Sequence, residues 1–182
     1  MIIALDCDGV LADFMSAVLA LVNKHGKSYT LDDVKTFNMW SHFDLTPIQR
    51  EFVRSVMGSR GFFESLEPYP GANDAVAKLQ LHARVICVTS PWHDSPTFAY
   101  ERRCWLKRHF DINSKDVVVC KDKTLVAADF LLDDCPDNVH PLGVYRGEAW
   151  LLDRPWNRSA PIYIPRQESL DSFVNYIEGV KK

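Results

Sequence analysis

Short apolar runs alternate along this chain with longer segments in which apolar residues recur at helical spacing. The runs are rich in leucine and β-branched residues, which suits buried strands of a parallel sheet, whereas the longer segments suit amphipathic helices. Strands that alternate with helices form right-handed βαβ units. We therefore predict an α/β fold with a Rossmann-like parallel sheet flanked by helices. The predicted strands are residues 1–5, 84–89, 117–120, 130–132 and 149–152.

The stretch after the first strand shows helical spacing and no strand-like alternation. Asp13 is suited to cap a helix that begins at Phe14, with Gly26 as its stop. A further helix is predicted from Thr46 to Gly58, because a capping residue is followed by proline and then by glutamine. The apolar face predicted for this helix is Ile48, Phe52, Val53 and Val56.

These segments predict two structural units. A small helical cap, residues 14–65, is inserted after the first strand, and residues 1–13 and 66–182 form the α/β core. Within the core, Ser95-Pro96 is predicted to start a helix that reaches Phe110. Residues 153–166 hold three prolines and are interpreted as a surface connection without an assigned role.

Composition narrows the class of protein. The chain has 182 residues and a net charge of −3, which argues against the basic footprint of a protein that grips polymeric nucleic acid. No apolar run approaches the roughly 18 residues of a membrane span, and the start lacks the basic segment of a signal peptide. The five cysteines include no C-x-x-C pair and indicate reduced thiols. We therefore expect a cytoplasmic protein without a membrane partner.

Polar side chains follow four of the predicted strands. Because the carboxyl ends of parallel strands share one edge of a sheet, these groups are expected to converge there. Two close carboxylates repel each other, and Mg²⁺ is a hard cation that would relieve that repulsion. An ordinary Asp/Gly turn is the alternative, whereas a calcium loop is excluded because Ala17 stands where its glutamate belongs. The groups are Asp6 and Asp8, Thr89 and Ser90, Lys121 and Lys123, and Asp133 and Asp134.

The stretch Asp-Cys-Asp-Gly-Val-Leu-Ala-Asp-Phe, residues 6–14, resembles the first motif of the haloacid dehalogenase-like phosphatases. More narrowly, it resembles that of the 5'(3')-deoxyribonucleotidases. Thr89-Ser90-Pro91, Lys123 and Leu-Leu-Asp133-Asp134 resemble the second, third and fourth motifs of the superfamily. Residues 67–72, Glu-Pro-Tyr-Pro-Gly-Ala, resemble the return from the cap in the nucleotidases.

The resemblance implies a role for each of these residues. Asp6 would be the nucleophile that forms an aspartyl-phosphate, and Asp8 the general acid and base. Mg²⁺ would be held by Asp6, the backbone carbonyl of Asp8, and Asp134, with Asp133 supporting the site without touching the ion. The phosphate would be bound by Gly9 through its backbone N–H and by Thr89, Ser90 and Lys123.

The cap is expected to choose the substrate. Phe14, Phe37 and Trp40 could offer rings on which a base stacks, together with Phe62 and Phe63. The alternative for each ring is packing in the core of the cap. His93 and Arg102 stand where members of the resembled family carry lysines, and we include both, with Lys121, among the candidate pocket residues.

The leading hypothesis is a Mg²⁺-dependent phosphatase for nucleoside monophosphates, with a deoxyribonucleotide preference implied by the resemblance. A phosphatase for sugar phosphates or other small metabolites is the first alternative. A non-catalytic phosphate-binding protein on the same scaffold is the second. Polymeric nucleic acid is not expected as a partner, and a homodimer is left open.

Overall fold

The computed structural model describes residues 1–139 and 147–180. Its centre is a six-stranded parallel sheet with the order β3-β2-β1-β4-β5-β6. The strands are β1 (Ile2–Leu5), β2 (Arg84–Thr89), β3 (Val117–Val119), β4 (Phe130–Asp133), β5 (Glu148–Leu152) and β6 (Arg166–Gln167). The helices are α1 (Phe14–Asn23), α2 (Pro47–Gly58), α3 (Ala72–His82), α4 (Phe98–Phe110), α5 (Pro136–Val139) and α6 (Leu170–Val180).

The first strand is central because its side chains are apolar on both faces. Ile3, Ala4 and Leu5 are fully buried, as expected for a strand that is covered by helices on both sides. Leu5 is aligned with Cys87 of β2 and with Leu132 of β4. The residues that follow these three strands therefore meet at one edge of the sheet. The predicted α/β fold is confirmed.

Residues 14–58 contain helices and short 3₁₀ turns but no strand. Asp13 caps α1 by accepting a hydrogen bond from the backbone N–H of Ser16, at 3.2 Å. Thr46 and Gln49 form the predicted reciprocal capping box at the start of α2. These helices share a hydrophobic cluster, separate from the cluster under the sheet, that includes Val18 and Val53.

Several element predictions were wrong in detail. In α2, Val53 is fully buried as predicted, but Ile48 is 84% exposed and Phe52 is 49% exposed, and Met57, which was not predicted, is fully buried. Helical spacing is compatible with either stripe, and packing against α1 selects the second. The first helix ends at Asn23 rather than Gly26.

Two further corrections concern the core. Helix α4 begins at Phe98, because residues 95–97 form the turn that leads into it and Thr97 is its N-cap. Strand β6, only two residues long, was not predicted, since two residues are too few to show alternation. Among residues 1–139 and 147–180, no helix is both long and apolar enough to cross a membrane.

Candidate active site

A buried lysine joins the ends of two central strands. Lys123 lies in a 3₁₀ turn after β3, and its Nζ is 2.6 Å from Oδ1 of Asp6 and 2.7 Å from Oδ2 of Asp133. Asp6 follows β1, and Asp133 is the last residue of β4. The parallel register brings these three residues together across the sheet edge, as the strand pattern predicted.

The carboxylates outnumber the cation here. Asp6, Asp133 and Asp134 each place an oxygen within 4.8 Å of the others, against the single ammonium of Lys123. Burial, with the neighbouring carboxylates, raises the pKa of Asp6 to about 7 and that of Asp134 well above its usual range. Burial alone would lower the pKa of Lys123, but Asp133 and Asp6 raise it. Ionising all three carboxylates would therefore leave more negative charge than Lys123 balances, and a hard divalent cation bound by their oxygens would supply the missing positive charge.

The two adjacent aspartates have different surroundings. Asp133 is fully buried and already accepts hydrogen bonds from the backbone N–H of Cys135, at 2.8 Å, and from Nδ2 of Asn138, at 3.0 Å. Asp134 instead lines the cavity described below. This difference supports Asp134 as the candidate direct ligand and Asp133 as the residue that holds Lys123.

Gly9 forms the sharp turn after β1. Its φ is +80°, and a Cβ built on it would fall inside the Asp134 carboxylate. Its backbone N–H donates to the carbonyl of Ala12 at 3.0 Å, and Gly9 also lines the cavity described below, so phosphate binding by this group stays a prediction. Gly9 is required for the close approach of the turn to Asp134.

Replacing Gly9 with alanine should destabilise the protein by more than the same change at Gly26. Both glycines have positive φ, and the strain costs about 1 kcal/mol or more at each. Nothing lies within 4 Å of a Cβ at Gly26, whereas Gly9→Ala must also displace Asp134, adding about 1–3 kcal/mol. Urea unfolding of both variants measures the difference, and equal losses would contradict this interpretation of Gly9.

Asp8 lines the cavity, and its carboxylate forms an ion pair with an arginine that lies outside the cavity lining. Its carboxylate pairs with the guanidinium of Arg102, which is fully buried, and the Arg102 Cζ lies 4.7 Å from the centre of the Phe63 ring. Arg102 is absent from the cavity lining, which corrects its assignment to the substrate pocket. Its place on the inner side of α4 makes it the partner of Asp8.

A cavity of about 580 Å³ opens between the sheet edge and the helices of residues 14–58. Its floor includes Asp6, Asp8, Thr89, Ser90, Lys123 and Asp134. Its upper wall includes Phe14, Phe37, Trp40, Trp92, His93 and Lys121. Phe63 is nearly fully buried and stacks parallel to Phe14, so it belongs to the core, and Phe62 is not part of the lining either.

Three residues of the segment 153–166 contact the site, and the sequence analysis did not predict them. Nε1 of Trp156 donates to Oδ2 of Asp134 at 2.7 Å, and Nδ2 of Asn157 donates to the backbone carbonyl of Asp134 at 2.9 Å. Nε of Arg154 donates to the backbone carbonyl of Gly9 at 2.6 Å. The available signal was the tetrapeptide Arg-Pro-Trp-Asn, residues 154–157, which places a tryptophan and an asparagine within a polar, proline-containing stretch.

Comparison with known proteins identifies the family. A family model described as "5' nucleotidase, deoxy (Pyrimidine), cytosolic type C protein" matches residues 1–172. The chain is 36% identical over 143 residues to the mitochondrial 5'(3')-deoxyribonucleotidase of Mus musculus, a match that covers 74% of this chain and 64% of that protein. The Homo sapiens mitochondrial protein of the same name is also 36% identical over 143 residues, covering 74% of this chain and 62% of its own.

The chain thus spans less than two thirds of the length of these two relatives. A haloacid dehalogenase-like family hydrolase from Xanthomonas campestris has a similar structure, with a TM-score of 0.58 at 10% identity over 99% of this chain and 95% of that one. That likeness supports the α/β fold. Since the family model covers nearly the whole chain, this protein belongs to the deoxy (pyrimidine), cytosolic type C family of 5' nucleotidases.

Proposed function

We propose that this protein is a phosphoric monoester hydrolase that releases phosphate from nucleoside monophosphates, with deoxyribonucleotides preferred. The observation that carries the proposal is the position of Asp6, which lies beside Lys123 and Asp134 on the floor of a cavity with aromatic walls. Family membership and the names of the two mammalian relatives support the nucleotide as substrate.

The proposed reaction has two displacements at phosphorus. An Asp6 oxygen bonds to phosphorus as the bond to the ester oxygen breaks, and Asp8 protonates the leaving alcohol. Asp8 then takes a proton from water as that water attacks phosphorus, which frees Asp6 and inorganic phosphate. In this proposal Lys123 offsets the repulsion between Asp6 and the phosphate, and Thr89 and Ser90, which line the cavity, donate hydrogen bonds to the phosphate.

The donor set fits Mg²⁺. Asp6, Asp134 and the backbone carbonyl of Asp8 would hold the ion, because the buried carboxylates exceed the charge of Lys123. When bound, Mg²⁺ supplies positive charge that attracts the phosphoryl oxygens towards Asp6. Asp133 keeps Lys123 and the strand end in place.

Residues 14–65 are proposed to act as the cap that selects the substrate. The rings of Phe14, Phe37 and Trp40 line the cavity, and Phe37 is 55% exposed there. An exposed ring offers a face to a base, and stacking of this kind contributes about 1–3 kcal/mol. His93 and Lys121, both exposed at the same cavity, are candidates for polar contacts with the substrate.

Release of phosphate from a panel of substrates tests the proposal. We expect kcat/KM for deoxyribonucleoside monophosphates to exceed that for sugar phosphates by about tenfold or more, as base stacking predicts. Activity should vanish with a chelator and return with Mg²⁺. Faster turnover of sugar phosphates would favour the metabolite phosphatase, and no turnover of any phosphomonoester would favour the phosphate-binding protein.

A cap variant refines that test. Phe37→Ala should lower kcat/KM for nucleotides about 5- to 150-fold and leave that for sugar phosphates within about twofold, since only the nucleotide offers a base to stack. Phe52→Ala is the matched control, because Phe52 is a similarly exposed ring of the same segment that lies outside the cavity lining. Equal effects of Phe37→Ala on both substrate classes would contradict base stacking on this ring.

The cytoplasm is the proposed location. All five cysteines are unpaired, which is usual for proteins of reducing compartments.

A further inference from the structure

We infer that Trp156 is a positioning residue that orients the Asp134 carboxylate for the divalent cation. The inference rests on the cation site of the proposed function. The Trp156 indole is 4% exposed and Asp134 is 5% exposed, so their 2.7 Å hydrogen bond is shielded from water. An indole N–H is a donor only, and it can occupy one carboxylate oxygen. Trp156 therefore fixes Oδ2 and leaves Oδ1 of Asp134 for a cation.

The hydrogen bond lies directly behind the proposed cation ligand, because Trp156 contacts the same Asp134 carboxylate that lines the cavity. Partners of this kind behind a metal ligand typically change metal affinity about 10- to 100-fold when they are removed.

The indole cannot easily move away. The residue after it, Asn157, donates from Nδ2 to the carbonyls of Asp134, at 2.9 Å, and Leu152, at 2.8 Å. Arg166 in turn donates to the Asn157 side-chain oxygen at 3.0 Å and to its backbone carbonyl at 2.6 Å. These bonds tie the backbone beside Trp156 to β4, β5 and β6.

The ring of Trp156 contributes a second constraint. It belongs to the hydrophobic cluster otherwise formed by residues 14–58, which includes Met15 and Met39. Met15 and Met39 also line the cavity. Trp156 thus connects the helical segment above the cavity with the carboxylate on its floor, and rotation of the indole would open the cluster.

Calorimetric titration of Mg²⁺ into substrate-free protein tests the inference. Trp156→Phe keeps an aromatic ring but removes the N–H, and it should weaken Mg²⁺ binding about 10- to 100-fold. Trp150→Phe is the matched control, since the Trp150 indole N–H has no hydrogen-bond partner among residues 1–139 and 147–180. It should leave Mg²⁺ affinity within about twofold of the wild type.

Indole N–H resonances of the wild-type protein give a readout that does not depend on how the variant folds. On addition of Mg²⁺, the Trp156 resonance should shift while that of Trp150 stays in place. The inference would be overturned if wild type and Trp156→Phe bound Mg²⁺ with equal affinity, or if the wild type bound no Mg²⁺. It would also be overturned if the Trp156 resonance did not move. Normal Mg²⁺ results without hydrolysis of any phosphomonoester would instead refute only the proposed function.

Discussion

Asp6→Asn should lower the rate of phosphate release by on the order of 10⁴-fold or more, the scale expected when a nucleophile is removed. The amide cannot form the acyl phosphate, although it nearly matches the carboxylate in size. Folding should survive, because burial and then the neighbouring carboxylates raise the pKa of Asp6, so the folded state gains little from the negative charge that the change removes. The measurement is steady-state phosphate release with a saturating deoxyribonucleoside monophosphate.

A neighbouring aspartate supplies the control for that experiment. Asp13 caps α1, and asparagine is an equally good capping residue, so Asp13→Asn should retain wild-type activity and stability. Residual activity of Asp6→Asn within tenfold of the wild type would show that Asp6 is not the nucleophile.

Among the substitutions proposed for this protein, Lys123→Met should lower the free energy of unfolding the most. The ammonium is 2% exposed and bridges Asp6 and Asp133, so its removal leaves buried carboxylates without their cation. Breaking a buried pair in this way costs about 3–5 kcal/mol. Activity should also fall sharply, since the phosphate would meet Asp6 without the neutralising lysine.

The loss of folding stability caused by Lys123→Met should depend on pH. Lys123 holds the pKa of Asp6 down, so without the lysine that pKa rises further, and a folded carboxyl with a raised pKa contributes less stability as pH rises. The destabilisation should therefore be larger at pH 8 than at pH 5 in urea unfolding. Lys121→Met, at an exposed lysine two residues earlier, should change stability by less than about 0.5 kcal/mol at either pH. A loss for Lys123→Met that is independent of pH would contradict the charge-compensation argument.

The sheet and its polar edge could be predicted because their signals are local. The apolar run before Asp6 identifies a buried strand, and parallel topology then places Asp6, Lys123 and Asp133 at one edge without further information. The capping box at Thr46 and Gln49 is likewise encoded within four residues. Such features depend on backbone geometry and burial alone.

The remaining features depend on tertiary contacts that no local pattern reports. The buried stripe of α2 passes through Val53 and Met57 rather than Ile48, because α1 lies against that side. Arg102 reaches Asp8 across 94 positions of sequence, and the side chain is enclosed by rings instead of facing the substrate cavity. Trp156 meets Asp134 from a segment without periodicity, so its role could be seen only in three dimensions.

The most direct test of the central claim is to trap the acyl phosphate on Asp6. Protein quenched during turnover with a deoxyribonucleoside monophosphate and Mg²⁺ is treated with borohydride, which reduces an aspartyl-phosphate to homoserine. Peptide mass spectrometry should then find homoserine at position 6 only in samples that received substrate. Phosphate release with an unmodified position 6, or with the modification at another aspartate, would contradict the mechanism.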